Sequence, residues 1–299
     1  MKLDIAALKD DRTWAAVTGM SQARFEKLAP LFRASYLELH GKTVAERQMS
    51  LDIPPSLPSE EDLLLFTLFS LKSGLTYDAL AFVCGMDRAN AKRNQALGLK
   101  VLQHTLERAD CLPERRFATP EEFAAALQDE PKLLIDGVEQ RTQRPHEQEA
   151  QADGYSGKKK CHTLKALIIA NVARKILFLS LCWVGKTHDY RMFKEEFPPL
   201  KDWFKEHEVH VDLGFQGIET DYTSKAVSIP HKKPKKQELT PEQKAENRGR
   251  ASQRVRVEHS IAGLKRYRIL SDRLRMHDLN LYNDVLGVCA GLWNFCLTC

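Results

Sequence analysis

The chain has 299 residues, 43% hydrophobic and 28% charged, a balance that supports a folded core and excludes wholesale disorder. Fifteen Gly and thirteen Pro are too few for a collagen-like or linker-like chain, and the length suits two domains at roughly 150 residues each. The net charge of +5 conceals an asymmetry: residues 229–275 hold fourteen Lys or Arg against five Asp or Glu, so +9 sits there and −4 in the rest, the footprint of a localised polyanion-binding surface.

In chain order, the opening MKLDIAALKDDRTW breaks its apolar run with acids and does not read as a signal peptide. From Thr13 to Leu39, Phe25, Leu28, Leu31 and Phe32 recur at helical steps, with Ser21 as a candidate cap. LDIPPSLPSEEDL is a proline-marked break, after which Ser59 opens a helix with Glu60, Glu61 and Asp62 in its first turn and Gly74 at its end. Thr76 caps a short helix, Gly85 makes a turn, and a longer helix runs from about Asp87 to Glu107. Helix, tight Gly turn, helix is the pattern of a helix-turn-helix over about 59–107, although a small bundle with a solvated polar face has the same pattern. The second helix offers Arg88, Asn90, Lys92, Arg93, Asn94 and Gln95, side-chain types that read base edges or hold phosphates.

Beyond a charged loop (113–131) the periodicity changes. Lys132 to Ile135 is a short strand ending in Asp136-Gly137, and a polar loop follows through GYSGKKK, whose Lys158, Lys159 and Lys160 read as a basic DNA-contacting turn. Leu164 to Ala170 and Ile176 to Val184 form a hairpin across NVARK. This stretch is the most apolar, but Arg174 and Lys175 at its centre exclude a membrane span. Thr187 or Asp189 caps a helix reaching about Lys205; Val209 to Asp212 is a strand, Val227 to Pro230 a possible last one, and Pro241 to Tyr267 a long helix. The expected class is α+β: an all-α helix-turn-helix domain over 1–112, then an α/β domain over 130–299 whose element order fits the ribonuclease H-like fold. Seven scattered cysteines suit free thiols in a reducing compartment, and the terminal Cys296-x-x-Cys299 is a weak metal or redox signal.

Three acids stand out. Asp136 and Asp212 close strands at a sheet rim, and Glu258 lies in the long helix with Arg254 one turn earlier. Convergent carboxylates are what hard divalent cations need for phosphoryl transfer. An Asp before Gly is also an ordinary turn residue, and Glu258 also suits a surface ion pair.

LLIDGVEQRTQRP, YSGKKKCHTLK, VGKTHDYRMF, VDLGFQG and RVEHSIAGLKRYRIL, preceded by GMSQARFEKLAPLF, resemble the DDE transposases of bacterial insertion sequences, in the branch related to Harbinger elements. The likeness runs from about Thr18 to Phe295. It implies Asp136, Asp212 and Glu258 as catalytic and metal-holding residues for two Mg²⁺ ions, with Mn²⁺ able to substitute. His162, His188 and Asp189 become active-site neighbours, Asp189 being the competing second acid and more simply a helix cap. The sequence departs from the family's common Thr at Val138 and its common basic residue at Cys161. The implied function is binding of double-stranded element ends, metal-dependent cleavage and strand transfer to target DNA, by a homodimer or higher oligomer in the bacterial cytoplasm, nucleoid-associated and without membrane contact. Lys232, Lys233, Lys235, Lys236, Arg254, Lys265 and Arg268 are expected to hold phosphates. A plain nuclease and a non-cutting helix-turn-helix regulator remain as alternatives.

Overall fold

The computed structural model describes residues 3–49, 56–235, 237–276 and 278–298. Lys236, Cys299 and residues 51–55 of the proline-marked break lie outside the described residues. The chain forms two compact units, one of residues 1–112 with 264–299 and the other of residues 113–263. The mixed α/β class is as expected, but the C-terminal part of the expected division differs: residues 264–299, read as part of the second domain, group with the N-terminal helices.

The helical unit is built from α1 (Asp11–Thr18), α2 (Gln22–His40), α3 (Val44–Met49), α4 (Glu60–Ser73), α5 (Tyr77–Cys84) and α6 (Arg88–Arg108). The helical stretch over 13–39 is two helices: Gly19 ends α1 in the left-handed region at φ 83°, and Ser21 stands at the N-cap of α2, as expected. Starts and stops elsewhere follow local chemistry. Ser59, Thr76 and Asp87 each accept a backbone N–H of the first turn, and Gly74 and Gly85 end α4 and α5 at positive φ. The C-terminal helix, α13 (Leu279–Thr298), packs on α6. Its Val285, Leu286, Val288, Cys289, Leu292 and Phe295 are all buried, an apolar surface too large to leave in water. That burial is the physical reason the C-terminus joins this unit.

Gly98 lies mid-helix in α6, where Gly costs about 1 kcal/mol relative to Ala. Close packing explains it: a Cβ there would stand 1.8 Å from Thr67 Oγ1, itself bonded to the Leu63 carbonyl. Gly98→Ala is expected to destabilise the chain by about 2 kcal/mol through overpacking, and Thr67→Ala in the same chain to recover most of it. Thermal melts of the two single variants and the double check this.

The second unit opens with α7 (Pro120–Ala126) and centres on one sheet: β1 (Lys132–Arg141), β2 (Tyr155–Ser156), β3 (Cys161–Ala170), β4 (Ile176–Leu179), β5 (Trp183–Val184), β6 (Phe204–His210) and β7 (Ser224–Ser228). Its order is β2-β3-β1-β6-β7, with β4 and β5 pairing β3. β1 is antiparallel to β3 and parallel to β6, and β6 is parallel to β7. The chain crosses through α9 (Asp189–Glu196) to β6 and through α10 (Ile218–Asp221) to β7, then enters α11 (Pro241–Leu264). Leu133, Ile135, Leu167, Ile169, Val209 and Val211 share one buried cluster with Phe193, Phe197 and Phe204.

Several boundaries differ from expectation. α9 stops at Glu196 rather than near Lys205, because Pro198 and Pro199 cannot continue a helix, and β6 begins at Phe204, five residues early. The polar loop before β3 contains α8 (Gln148–Gly154), which buries no residue and so leaves no hydrophobic stripe to read. The long hairpin arm is two short strands, β4 and β5. β1 runs on to Arg141, so Asp136 lies inside the strand and not at its end. No described helix is long and apolar enough to cross a membrane, and the six described cysteines are free thiols.

Candidate active site

Strand register brings the first two acids together. The parallel pairing of β1 with β6 ends at Leu134↔His210, and continuing that offset sets Asp136 beside Asp212 where the strands part. Adjacent strands lie about 4.8 Å apart, so two carboxylates at this register stand close to one another. Each is fixed by a glycine that follows it: Gly137 N–H donates to Asp136 Oδ1 at 2.7 Å, and Gly214 N–H to Asp212 Oδ1 at 2.7 Å. Asp212 thereby opens a short 3-10 turn, Leu213–Phe215. Burial pushes the Asp136 carboxyl up to about 6, against the Gly137 N–H; the charges of Asp212 and Asp189 add to the rise and that of Arg254 opposes it.

Glu258 comes from α11. Arg256 donates to the Val172 carbonyl at 2.6 Å and Ser260 to the Arg174 carbonyl at 2.9 Å, pinning that face of the helix to the β3–β4 turn. Val257 and Ser260 are buried while the Glu258 side chain is 53% exposed. Arg254 donates to Glu258 Oε1 at 3.0 Å. The surface ion pair foreseen for these two residues is therefore present, and the same guanidinium carries the positive charge felt by Asp136. Among the described residues, no group of three or more His, Cys, Asp or Glu is set to hold a metal ion. Asp136 and Asp212 do fit a divalent cation by the chemistry of the donor set: two adjacent hard oxygen ligands, one of them buried beside other negative charge.

Asp189 is not the helix cap that was expected. His188 occupies the cap position without a capping side-chain bond, and Asp189 is the first residue of α9. Its carboxylate accepts from Lys165 Nζ at 3.0 Å. Lys165 was missed in the sequence, although a lysine inside the apolar strand CHTLKALIIA is itself a signal that an acid must lie opposite it. His162 packs its ring against Tyr155 at 5.8 Å, and His188 is exposed.

The residues expected to meet DNA fall into several places. Lys158, Lys159 and Lys160 are exposed on the turn before β3. Lys232 reaches Gln216, Lys233 pairs with Glu238, and Lys235 is exposed. Lys265 and Arg268 belong to the helical unit, Arg268 in α12 (Arg268–Ser271) paired with Asp272 at 3.0 Å. On α6, Arg88, Lys92 and Arg93 are exposed, and Asn90 and Asn94 are half-buried. Gln95 is a correction. It is 5% exposed, accepts from Tyr77 Oη at 2.8 Å and donates to Ser70 Oγ at 3.0 Å, so it ties α4, α5 and α6 together and has no face left for a base.

Residues 135–294 match the family described as DDE superfamily endonuclease. A probable transposase for insertion sequence element IS702, from Microchaete diplosiphon, is 32% identical over 189 residues, which is 62% of this chain and 64% of that protein. The match thus spans just under two thirds of that relative. No solved structure matches the chain.

Proposed function

The chain belongs to the DDE superfamily endonucleases, and from that premise we propose that it is a transposase that binds the ends of its insertion sequence, cuts there and joins the freed ends to target DNA. The observation that carries this reading is the β1–β6 register, whose continuation brings Asp136 and Asp212 together where those two strands part. The order β2-β3-β1-β6-β7, with a hairpin-extended first strand and helical crossovers, supports a ribonuclease H-like assignment for this unit. Likeness to the probable IS702 transposase supports transposition over simple hydrolysis.

Asp136 and Asp212 would hold a divalent cation, Mg²⁺ or Mn²⁺, with Glu258 as the third carboxylate once it leaves Arg254. Such a cation, when bound, neutralises charge at the scissile phosphate and acidifies a water. The Gly137 and Gly214 N–H groups each hold one oxygen of an aspartate in place. Arg254, released from Glu258, is placed to hold a phosphate oxygen. The lysines before β3 and after β7 would grip the backbone on either side, so positioning and charge complementarity supply most of the rate. Incubating the protein with a duplex of the inverted repeats that flank its reading frame tests the proposal: Mg²⁺-dependent cuts at the repeat boundary support it, and uncut or randomly nicked duplex opposes it.

We further propose that α5, the Gly85 turn and α6 form a helix-turn-helix that selects the element's ends through the exposed face bearing Lys92 and Arg93, with Asn94 alongside. Base contacts discriminate by about 1–3 kcal/mol each. Arg93→Ala with Asn94→Ala should therefore cut the preference for end over random duplex by about thirtyfold or more. Ala at Lys232, Lys233 and Lys235 should weaken both duplexes alike and lower the salt slope by about 0.9 for each phosphate left without its lysine. Titrations at several salt concentrations separate the two outcomes. Gln95→Ala, by contrast, should lower stability and leave the preference intact.

A further inference from the structure

One ion pair, a buried lysine with a part-buried carboxylate, lies under the candidate site and has no part in the chemistry proposed for it. Lys165 is 8% exposed, and its ammonium donates to the Thr187 carbonyl at 2.9 Å and to Asp189 Oδ1 at 3.0 Å. Asp189 in turn sits against both glycines that orient the catalytic aspartates. A Cβ on Gly137 would stand 3.1 Å from Asp189 Cγ, and one on Gly214 would stand 3.8 Å from Asp189 Oδ2. Those same glycines donate to Asp136 and Asp212. Strand alternation puts Gly137 and Lys165 on the α9 face with Ile135 and Leu167, and Asp136 on the opposite face. Asp189 therefore approaches Gly137 from behind, through space its missing Cβ leaves open, and lies within ordinary contact of Gly214.

We propose that Lys165 is a positioning residue that fixes Asp189 as a charge-neutralised wedge between the Gly137 and Gly214 segments, bracing the two aspartates without Asp189 serving as a metal ligand. The inference rests on the reading that Asp136 and Asp212 hold a divalent cation. A part-buried carboxylate already satisfied by an ammonium adds no net charge to the site, whereas either partner alone leaves an uncompensated charge close to it.

The test is the Mn²⁺ concentration that half-completes the Mn²⁺-induced rise in melting temperature of the full chain, free of DNA. Asp189→Asn leaves the ammonium unopposed and should raise that concentration by about five- to tenfold. Lys165→Met leaves the carboxylate unopposed and should lower it by a similar factor. The double variant buries no lone charge, so it folds even where a single variant does not, and should return to within about threefold of the unaltered chain. A double variant as weak as Asp189→Asn would make Asp189 a ligand and overturn the proposal. Four equal midpoints would make the pair a packing element only, and would also overturn it. If the unaltered chain shows no Mn²⁺ response, or Asp136→Asn with Asp212→Asn retains it, the metal reading of the site itself fails and takes the proposal with it.

Discussion

Asparagine at Asp136 or at Asp212 should reduce cleavage by about a thousandfold, the several kcal/mol that metal-held charge contributes to phosphoryl transfer, with DNA affinity nearly unchanged. The same Asp136→Asn exchange should stabilise the fold, which separates this residue from an ordinary structural aspartate. Its carboxyl is raised from 3.8 to about 6 in the folded chain, chiefly by burial. The contribution of a neutral Asp136 to stability is thus fully present below 3.8 and is lost as pH rises through 6. At pH 8 the ionised form costs on the order of 3 kcal/mol, which Asn avoids. Melting curves without divalent ions should converge for the two proteins below about pH 4, separate in favour of Asp136→Asn as pH rises from about 4 to about 6, and stay apart by a constant margin above it. Identical curves throughout would mean that Asp136 carries no such burden, and that its place in the site has been misjudged.

The second large effect is structural. Gly185 follows β5, and a Cβ there would stand 2.4 Å from the Gly154 carbonyl oxygen, 2.4 Å from Thr163 Oγ1 and 2.8 Å from the Thr163 carbonyl oxygen. Two of those three atoms are backbone, so no side-chain rotation relieves the clash. Gly185→Ala should cost about 3 kcal/mol, the upper range for overpacking. In a unit of this size that is about 10 °C in melting temperature. The strain would fall two residues before Thr187, whose carbonyl holds Lys165, and so should also loosen the Asp189 brace. Gly157→Ala is the matched control: open space surrounds that position, and its melting temperature should hardly move.

What could be read from the sequence was local chemistry. The caps Ser59, Thr76 and Asp87, the stops Gly74 and Gly85, and the alternation of strands with helices are encoded within a few residues of where they act, and they located α4, α5, α6 and most strands, but not α3, α8 or the C-terminal helix α13. Asp136 and Asp212 were legible because each sits in an apolar run with a glycine one or two residues later. The features that escaped depend on partners far along the chain. Gln95 has the composition of a base-reading residue, and only the neighbouring Tyr77 and Ser70 make it a core hydrogen-bonding group. Asp136 looked like a strand end because antiparallel pairing with β3, which prolongs β1, leaves no mark in LLIDG itself. The C-terminal helix was not read at all, because its apolar residues cover nearly its whole surface and leave no stripe of helical period, and the partner of Lys165 lies 24 residues away.

The most direct measurement is sequencing of the joints formed when the protein, Mg²⁺, a duplex ending in the flanking inverted repeats and a target plasmid are incubated together. A DNA transposase working through Asp136 and Asp212 should join the 3′ ends of the repeats to the plasmid, with a constant short duplication of target sequence once gaps are filled, and Asp212→Asn should form none. Cut repeats without joints would make the chain a plain nuclease, and joints undiminished in Asp212→Asn would contradict the site proposed here.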